Sequence, residues 1–228
     1  MHWLEKWLFP PCCVVTSAPT DHLDLDPKFV QQWQRYGDAC PCCGTHSPQG
    51  KICRSCQQAS PRLIEQTHIA FAFRGELRQL VHQFKYHQQL HLSRLFATLI
   101  QQQLQLNPVD ALVPIPLHPS RLAQRGYNQA YEIARILSKD LGIPIYQGLI
   151  RPQATTSQTR LGRTQRQHNL SHAFAINPKV EAGLLKLHRV ALIDDVITTG
   201  ATLQAAAQSL KAAHPTLEIH AWALAKTR

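Results

Sequence analysis

No run of about 18 apolar residues occurs in the 228-residue chain, which rules out a membrane-spanning helix. The opening residues, Met1 to Leu8, are too short and too charged for a secretory signal, so a cytoplasmic protein is expected. Charged side chains make up only 17% of the chain against 44% hydrophobic, which excludes a largely disordered polymer. No period of 20–50 residues repeats, and the glutamines are scattered rather than tracted, so solenoids and low-complexity arrays are excluded. Neither G-x-x-x-x-G-K-[ST] nor G-x-G-x-x-G is present, which argues against the two commonest nucleotide-binding fingerprints.

Residues 141–180 contain no carboxylate at all. That gap locates the excess of 24 Lys+Arg over 14 Asp+Glu, a formal charge of +10. Residues 1–38 carry a net −2, residues 39–110 +4, residues 111–180 +7 and residues 181–228 +1. Two readings of the 111–180 stretch stand side by side. It is either a solvated basic face or the surroundings of something phosphorylated.

Composition divides the chain into a lead-in (1–38), a cysteine- and turn-rich module (39–60) and a main domain (61–228). The lead-in is poorly patterned, interrupted by Pro10, Pro11 and Pro19 and by an acidic run over 21–26, and reads as loosely packed with a short helix near Trp33. From residue 61 apolar runs alternate with helical periodicity. Strands are expected at 68–73, 111–115, 143–146, 189–194 and 218–225, and helices at 75–86, 91–106, 127–141 and 202–213. Residues 116–126 read as a loop. Gly142 is placed to cap the third helix. Alternating strands and helices predict an α/β domain with a doubly wound, mainly parallel sheet.

Seven cysteines without an export signal point to a reducing compartment, where thiols serve metals or chemistry rather than disulfides. Cys40-Pro41-Cys42-Cys43 is followed, after nine residues, by Cys53-Arg54-Ser55-Cys56. Two C-x-x-C knuckles supply four thiolates, a tetrahedral set suited to structural Zn²⁺ with no position left for substrate. A segment of about 20 residues would gain its folding energy from that metal. A redox dithiol is the competing reading. Cys40, Cys43, Cys53 and Cys56 preserve the two-residue gaps; Cys42 is the register alternative, His46 a weak substitute, and Cys12 and Cys13 are non-ligands.

The stretch 190–202 holds most of the chemistry. Val190, Ala191, Leu192 and Ile193 form a buried strand, Asp194 and Asp195 emerge at its C-terminal end, and Thr198, Thr199, Gly200, Ala201 and Thr202 lead into a helix. The C-terminal edge of an open α/β sheet is where ligands bind, and a helix N-terminus approached by small hydroxylated residues favours phosphate. Carboxylates beside such a site make sense if they hold sugar hydroxyls, directly or through Mg²⁺. The combination outlines recognition of a ribose 5-phosphate. An ordinary strand–loop–helix with surface aspartates is the plain alternative.

These thirteen residues resemble the 5-phosphoribosyl-1-pyrophosphate (PRPP) motif of type I phosphoribosyltransferases. Upstream, the strand at 112–115 runs into residues with two arginines, Arg121 and Arg125, suited to gripping pyrophosphate. Arg125-Gly126-Tyr127-Asn128-Gln129 and Phe84-Lys85-Tyr86 are similar to signatures of the competence protein F family, whose members pair a cysteine-rich metal module with a phosphoribosyltransferase domain. The resemblance spans roughly 40–228. It implies a type I phosphoribosyltransferase-like sheet with an N-terminal Cys₄ zinc module and Mg²⁺-dependent transfer of a phosphoribosyl group from PRPP. Asp194 and Asp195 would hold the ribose hydroxyls, and the 198–202 loop the 5-phosphate. His118, Arg121, Arg125 and a hood over 151–170, with Arg163 and Arg166, would take pyrophosphate. The plain reading of the hood is a mobile surface loop. The family also implies work in DNA uptake for natural transformation, with single-stranded DNA and the uptake machinery as partners. A non-catalytic DNA-handling protein that keeps the PRPP site as a sensor or anion site is the second reading. Aromatics for base stacking are sparse in 141–180.

Overall fold

The computed structural model describes residues 11–20, 23–60, 62–152 and 173–227. In chain order its elements are α1 (Pro27–Gln32), α2 (Arg54–Gln58), β1 (Gln66–Ala72), α3 (Gly75–Tyr86), α4 (Leu92–Gln103), β2 (Ala111–Pro114), α5 (Pro119–Arg125), α6 (Gln129–Leu141), β3 (Leu149–Ile150), β4 (Ala175–Ile176), α7 (Glu181–Leu184), β5 (Arg189–Ile197), α8 (Ala201–Ala213) and β6 (Glu218–Lys226). Four parallel strands form one sheet in the order β1-β6-β5-β2. β3 and β4 make a separate antiparallel pair.

The central strands are buried on both faces, which is why they read as nearly unbroken apolar runs. On one face Leu77, Leu80 and Phe84 of α3, Leu95, Phe96 and Leu99 of α4, and Ile133 and Leu137 of α6 pack on Ala191, Ile193, Trp222 and Leu224. On the other, Leu184 of α7 and Leu203, Ala206 and Leu210 of α8 cover Val190, Leu192, Ile219 and Ala221. Helices on both faces give the doubly wound α/β architecture expected.

Three local expectations change. Residues 143–146 form only a single parallel bridge, Leu112 to Ile145, at the edge of β2. Leu112 N donates to Pro144 O and Tyr146 N donates to Leu112 O, while Pro144 has no N–H with which to extend the ladder. The supposed loop after β2 contains α5: Pro119 sits in its first turn, where a missing N–H costs nothing, and His118 Nδ1 caps it by accepting from Ser120 N. Residues 23–36 of the lead-in are not loose. Asp26 caps α1 through Lys28 N, and Leu25, Phe29 and Trp33 are buried in the main core. Trp33 meets Phe71 edge to face at 5.5 Å, a favoured aromatic geometry. Residues 34–36 pair along β1 through Ala72 N to Gln34 O and Tyr36 N to Ala70 O.

Candidate functional site

β5 does not end before its acids. It runs three residues past Asp194, to Ile197, so both carboxylates are held by sheet backbone rather than by a loop. Asp195 turns toward α3, on the face that Ala191 and Ile193 share with that helix. Asp195 is 5% exposed and Lys85, near the end of α3, puts Nζ 2.8 Å from its Oδ2. The contact lies off the line of a directed hydrogen bond and is foremost an ion pair.

Asp194 accepts from Asp195 N at 2.9 Å. Burial first, and the neighbouring Asp195 charge second, push its carboxyl up to about 8, against a smaller pull from Lys85. Near neutrality Asp194 therefore favours its protonated form. Arg151 stacks its guanidinium 5.2 Å over Phe174. Burial lowers its pKa, Arg121 adds to that and Asp194 opposes it, so the two arginines and Asp194 share one electrostatic neighbourhood.

The two upstream signatures meet in space. Tyr127 OH donates to Phe84 O. Arg125 lies 5.2 Å over the Tyr86 ring and donates from Nη1 to Gln129 Oε1 at 3.0 Å. Asn128 caps α6 by accepting from Ala130 N and Tyr131 N, while its amide donates to Ile115 O at 3.0 Å, just past β2. Gly126 closes α5 in the left-handed region (φ 81°), a conformation costly for residues with a Cβ. Through these bonds Lys85 is aimed and the end of β2 is fixed beside β5. Lys85 and Tyr86 were not marked as site residues by sequence patterning; their only signal was the resemblance of Phe84-Lys85-Tyr86 to a family element.

Beyond Ile197 the chain turns through Thr198, Thr199 and Gly200 into α8, a 13-residue helix. Gly200 occupies the cap position at φ 80°, and Thr199 Oγ1 accepts from Ala201 N at 3.3 Å. The first-turn amides and positive dipole of α8 thus open at the edge that carries the two acids. Lys226, the last residue of β6 and only 4% exposed, donates from Nζ to Thr198 O at 2.7 Å.

Cys40, Cys43, Cys53 and Cys56 converge, with all four Sγ atoms within 4.8 Å of one another. Cys43 Sγ and Cys53 Sγ are 3.7 Å apart, close to the edge of roughly 3.8 Å that a tetrahedron with Zn–S bonds of about 2.3 Å requires. Cys53 N donates to Cys40 Sγ at 3.3 Å. Burial raises the Cys40 thiol, but the amides of Cys53, Cys43 and Cys42 outweigh it and leave the value at about 6. Cys56 is raised by burial first and then by its thiol neighbours, the strain expected of clustered sulfurs whose counter-charge is a metal. The donor set fits a closed tetrahedral ion. Cys42 lies outside the cluster, buried at 4% exposure.

Of the other sequence-predicted residues, His118 folds onto Ser120 as the α5 cap. Arg163, Arg166 and most of the hood lie outside the described residues. A cleft of about 1140 Å³ between residues 19–35 and Gln102–Gln103 is lined by none of the site residues.

No family model matches the chain. It is 32% identical over 182 residues to competence protein F of Haemophilus influenzae, covering 76% of this chain and 78% of that protein. It is 30% identical over 200 residues to the DNA utilization protein YhgH of Salmonella typhimurium, covering 82% and 84%. Competence protein ComFC of Bacillus subtilis is 28% identical over 182 residues, covering 76% and 72%. With the α/β sheet, the four-cysteine module and the paired signatures in place, the chain belongs to the competence protein F family.

Proposed function

We propose that this protein binds PRPP at the C-terminal edge of β5 and transfers its phosphoribosyl group to an acceptor. The observation that carries the reading is the succession on one strand–turn–helix of Asp194, Asp195 and a Gly200-capped loop opening onto α8. Asp194 and Asp195 would engage the two ribose hydroxyls. The amides and hydroxyls of Thr198, Thr199, Gly200, Ala201 and Thr202 would take the 5-phosphate. Asp194 and Asp195 would also hold the Mg²⁺ that accompanies PRPP, whose charge neutralises the leaving diphosphate. Arg121, Arg125 and the hood arginines Arg163 and Arg166 would receive that diphosphate, and hood closure would exclude water during C1 transfer. Cys40, Cys43, Cys53 and Cys56 hold a structural Zn²⁺ in this reading.

Calorimetry with PRPP and Mg²⁺ tests the proposal. Saturable binding by the parent, lost in Asp194→Ala/Asp195→Ala, is expected. Absence of binding in the parent overturns it.

A second reading makes the protein a handler of single-stranded DNA that uses the same site as a sensor. It draws on the names of the relatives, which refer to competence and DNA utilization, and on the +7 charge of residues 111–180. Its test is single-stranded DNA binding at several salt concentrations, where affinity that falls steeply with salt is expected. Absent or salt-insensitive binding removes it.

A further inference from the structure

The four-cysteine module does not hang from the domain; it lies against the turn that opens α8. A Cβ on Gly200 would sit 4.0 Å from the Cys43 carbonyl oxygen. A Cβ on Gly44 would stand 2.5 Å from Ile69 Cδ1, 3.3 Å from Thr67 Cγ2 and 3.5 Å from Lys226 Cδ. Only a glycine, here at φ 66°, lets the first knuckle close on the sheet this tightly. Three hydrogen bonds hold the contact: Thr67 N to Pro41 O and Thr67 Oγ1 to Cys42 O, both 2.6 Å, and Tyr36 OH to Gly44 O at 2.8 Å.

Lys226 runs along this seam. Its methylenes pass the knuckle glycine and its ammonium ends on the Thr198 carbonyl at 2.7 Å. A lysine at 4% exposure needs a reason to keep its charge. A tetrathiolate centre supplies one: four thiolates around a divalent ion carry a net charge of −2, and second-shell donors commonly answer it.

We propose that Lys226 is a positioning residue that couples metal occupancy of the Cys40–Cys43–Cys53–Cys56 centre to the geometry of the Thr198–Thr199–Gly200 anion loop. With the metal bound, the knuckle is closed, Cys43 and Gly44 buttress Gly200 and Lys226, and the ammonium pins Thr198 where the loop amides converge. With the metal lost, nothing holds the knuckle closed, and the packing of Cys43 and Gly44 against Gly200 and Lys226 slackens. Anion affinity then falls although no anion-contacting residue has changed. The loop's ligand class, a ribose phosphate, rests on the reading under Proposed function; the mechanical coupling does not.

Amide hydrogen exchange on the full chain tests the coupling without any ligand. Lys226→Met keeps the apolar stem and removes the ammonium. It should speed exchange at residues 199–203 about tenfold, while zinc content and exchange in β5 and α4 stay at parental values. Lys226→Arg should restore most of the protection. Chelation of the metal should speed the same amides at least as much, and readdition of zinc should reverse the change. PRPP titration with Mg²⁺ should show about a tenfold weaker Kd in Lys226→Met, a shift of about 1.4 kcal/mol. Unchanged loop exchange in Lys226→Met, or acceleration spread uniformly over the sheet, overturns the coupling. If the parent binds no PRPP while the loop still responds to Lys226→Met and to metal removal, the ligand assignment fails and the coupling stands.

Discussion

Lys85 and Asp195, 110 residues apart in the chain, meet as an ion pair of 2.8 Å with only 20% and 7% of their side chains exposed. The pair joins α3 to the C-terminal part of β5 and holds the buried Asp195 side chain in place. Removing one partner of such a pair strands the other charge, which costs far more than the pair contributes when intact. Lys85→Met should therefore destabilise the protein by about 2 kcal/mol, discounted for the water that still reaches Lys85. Asp195→Asn in the same chain should recover much of the loss. A double-mutant cycle by urea denaturation measures this, and additive losses would mean the two groups do not interact.

Asp194 sets the pH behaviour of the same edge. Its carboxyl is raised from 3.8 to about 8 by burial and by Asp195. The folded state thus holds a proton that the unfolded chain has released, so stability present at low pH is lost as pH climbs from about 4 through about 8. Asp194→Asn should flatten that slope and raise Tm above the parent's at pH 8, while abolishing PRPP binding. The measurement is a Tm series between pH 5 and 9. A parent profile that rises across this interval with no change in the variant would contradict the assignment. Binding of Mg²⁺ and PRPP at pH 7 should also expel most of one proton, visible as a buffer-dependent enthalpy.

How much of this was legible beforehand follows from the range of the interactions. β5 and β6 were readable because strands buried on both faces are written as continuous apolar runs, Val190 to Ile193 and Ala221 to Ala225. α6 was bracketed by its own chemistry, Asn128 at one end and Gly142 at the other. The four converging cysteines were readable from spacing. α5 was hidden because Pro116 and Pro119 suggest a loop, although a proline in a first turn is compatible with helix. The lead-in carried a signal that composition obscured: Leu25, Phe29 and Trp33 recur every four residues, and all three are buried. Lys85 and Lys226 could not be found from pattern. Lys85 follows the buried Phe84 like any lysine near the end of a helix, and Lys226 closes an apolar strand like any solvated terminus. Their partners are set by tertiary packing.

Asn128 serves two segments at once. Its oxygen caps α6 and its amide holds Ile115 O beside the site. Asn128→Ala should cost about 1–2 kcal/mol, lowering Tm by roughly 3–6 °C for a chain of this size. Asn128→Asp keeps the cap but offers no donor to Ile115, so it should lose less stability than Asn128→Ala yet share its loss of PRPP affinity. Equal affinity in Asn128→Asp and the parent would show that Ile115 needs no such restraint.

The choice among the seven cysteines can be decided by metal content. Cys42 sits beside Cys43, but its sulfur is not among the four that converge, and its carbonyl accepts from Thr67 Oγ1. Cys42→Ser should keep one zinc per chain, whereas Cys53→Ser/Cys56→Ser should keep none. Bound metal holds all four sulfurs as thiolates, against burial and neighbouring thiols that raise the Cys56 thiol. Acidification should therefore release zinc, at a pH below the value of about 6 of the metal-free Cys40 thiol, because the metal competes with the proton. A chromogenic chelator followed during a pH titration reads the release directly. Zinc retained by Cys53→Ser/Cys56→Ser, or lost from Cys42→Ser with the fold intact, would reassign the ligands and move the metal off the knuckle that abuts Gly200.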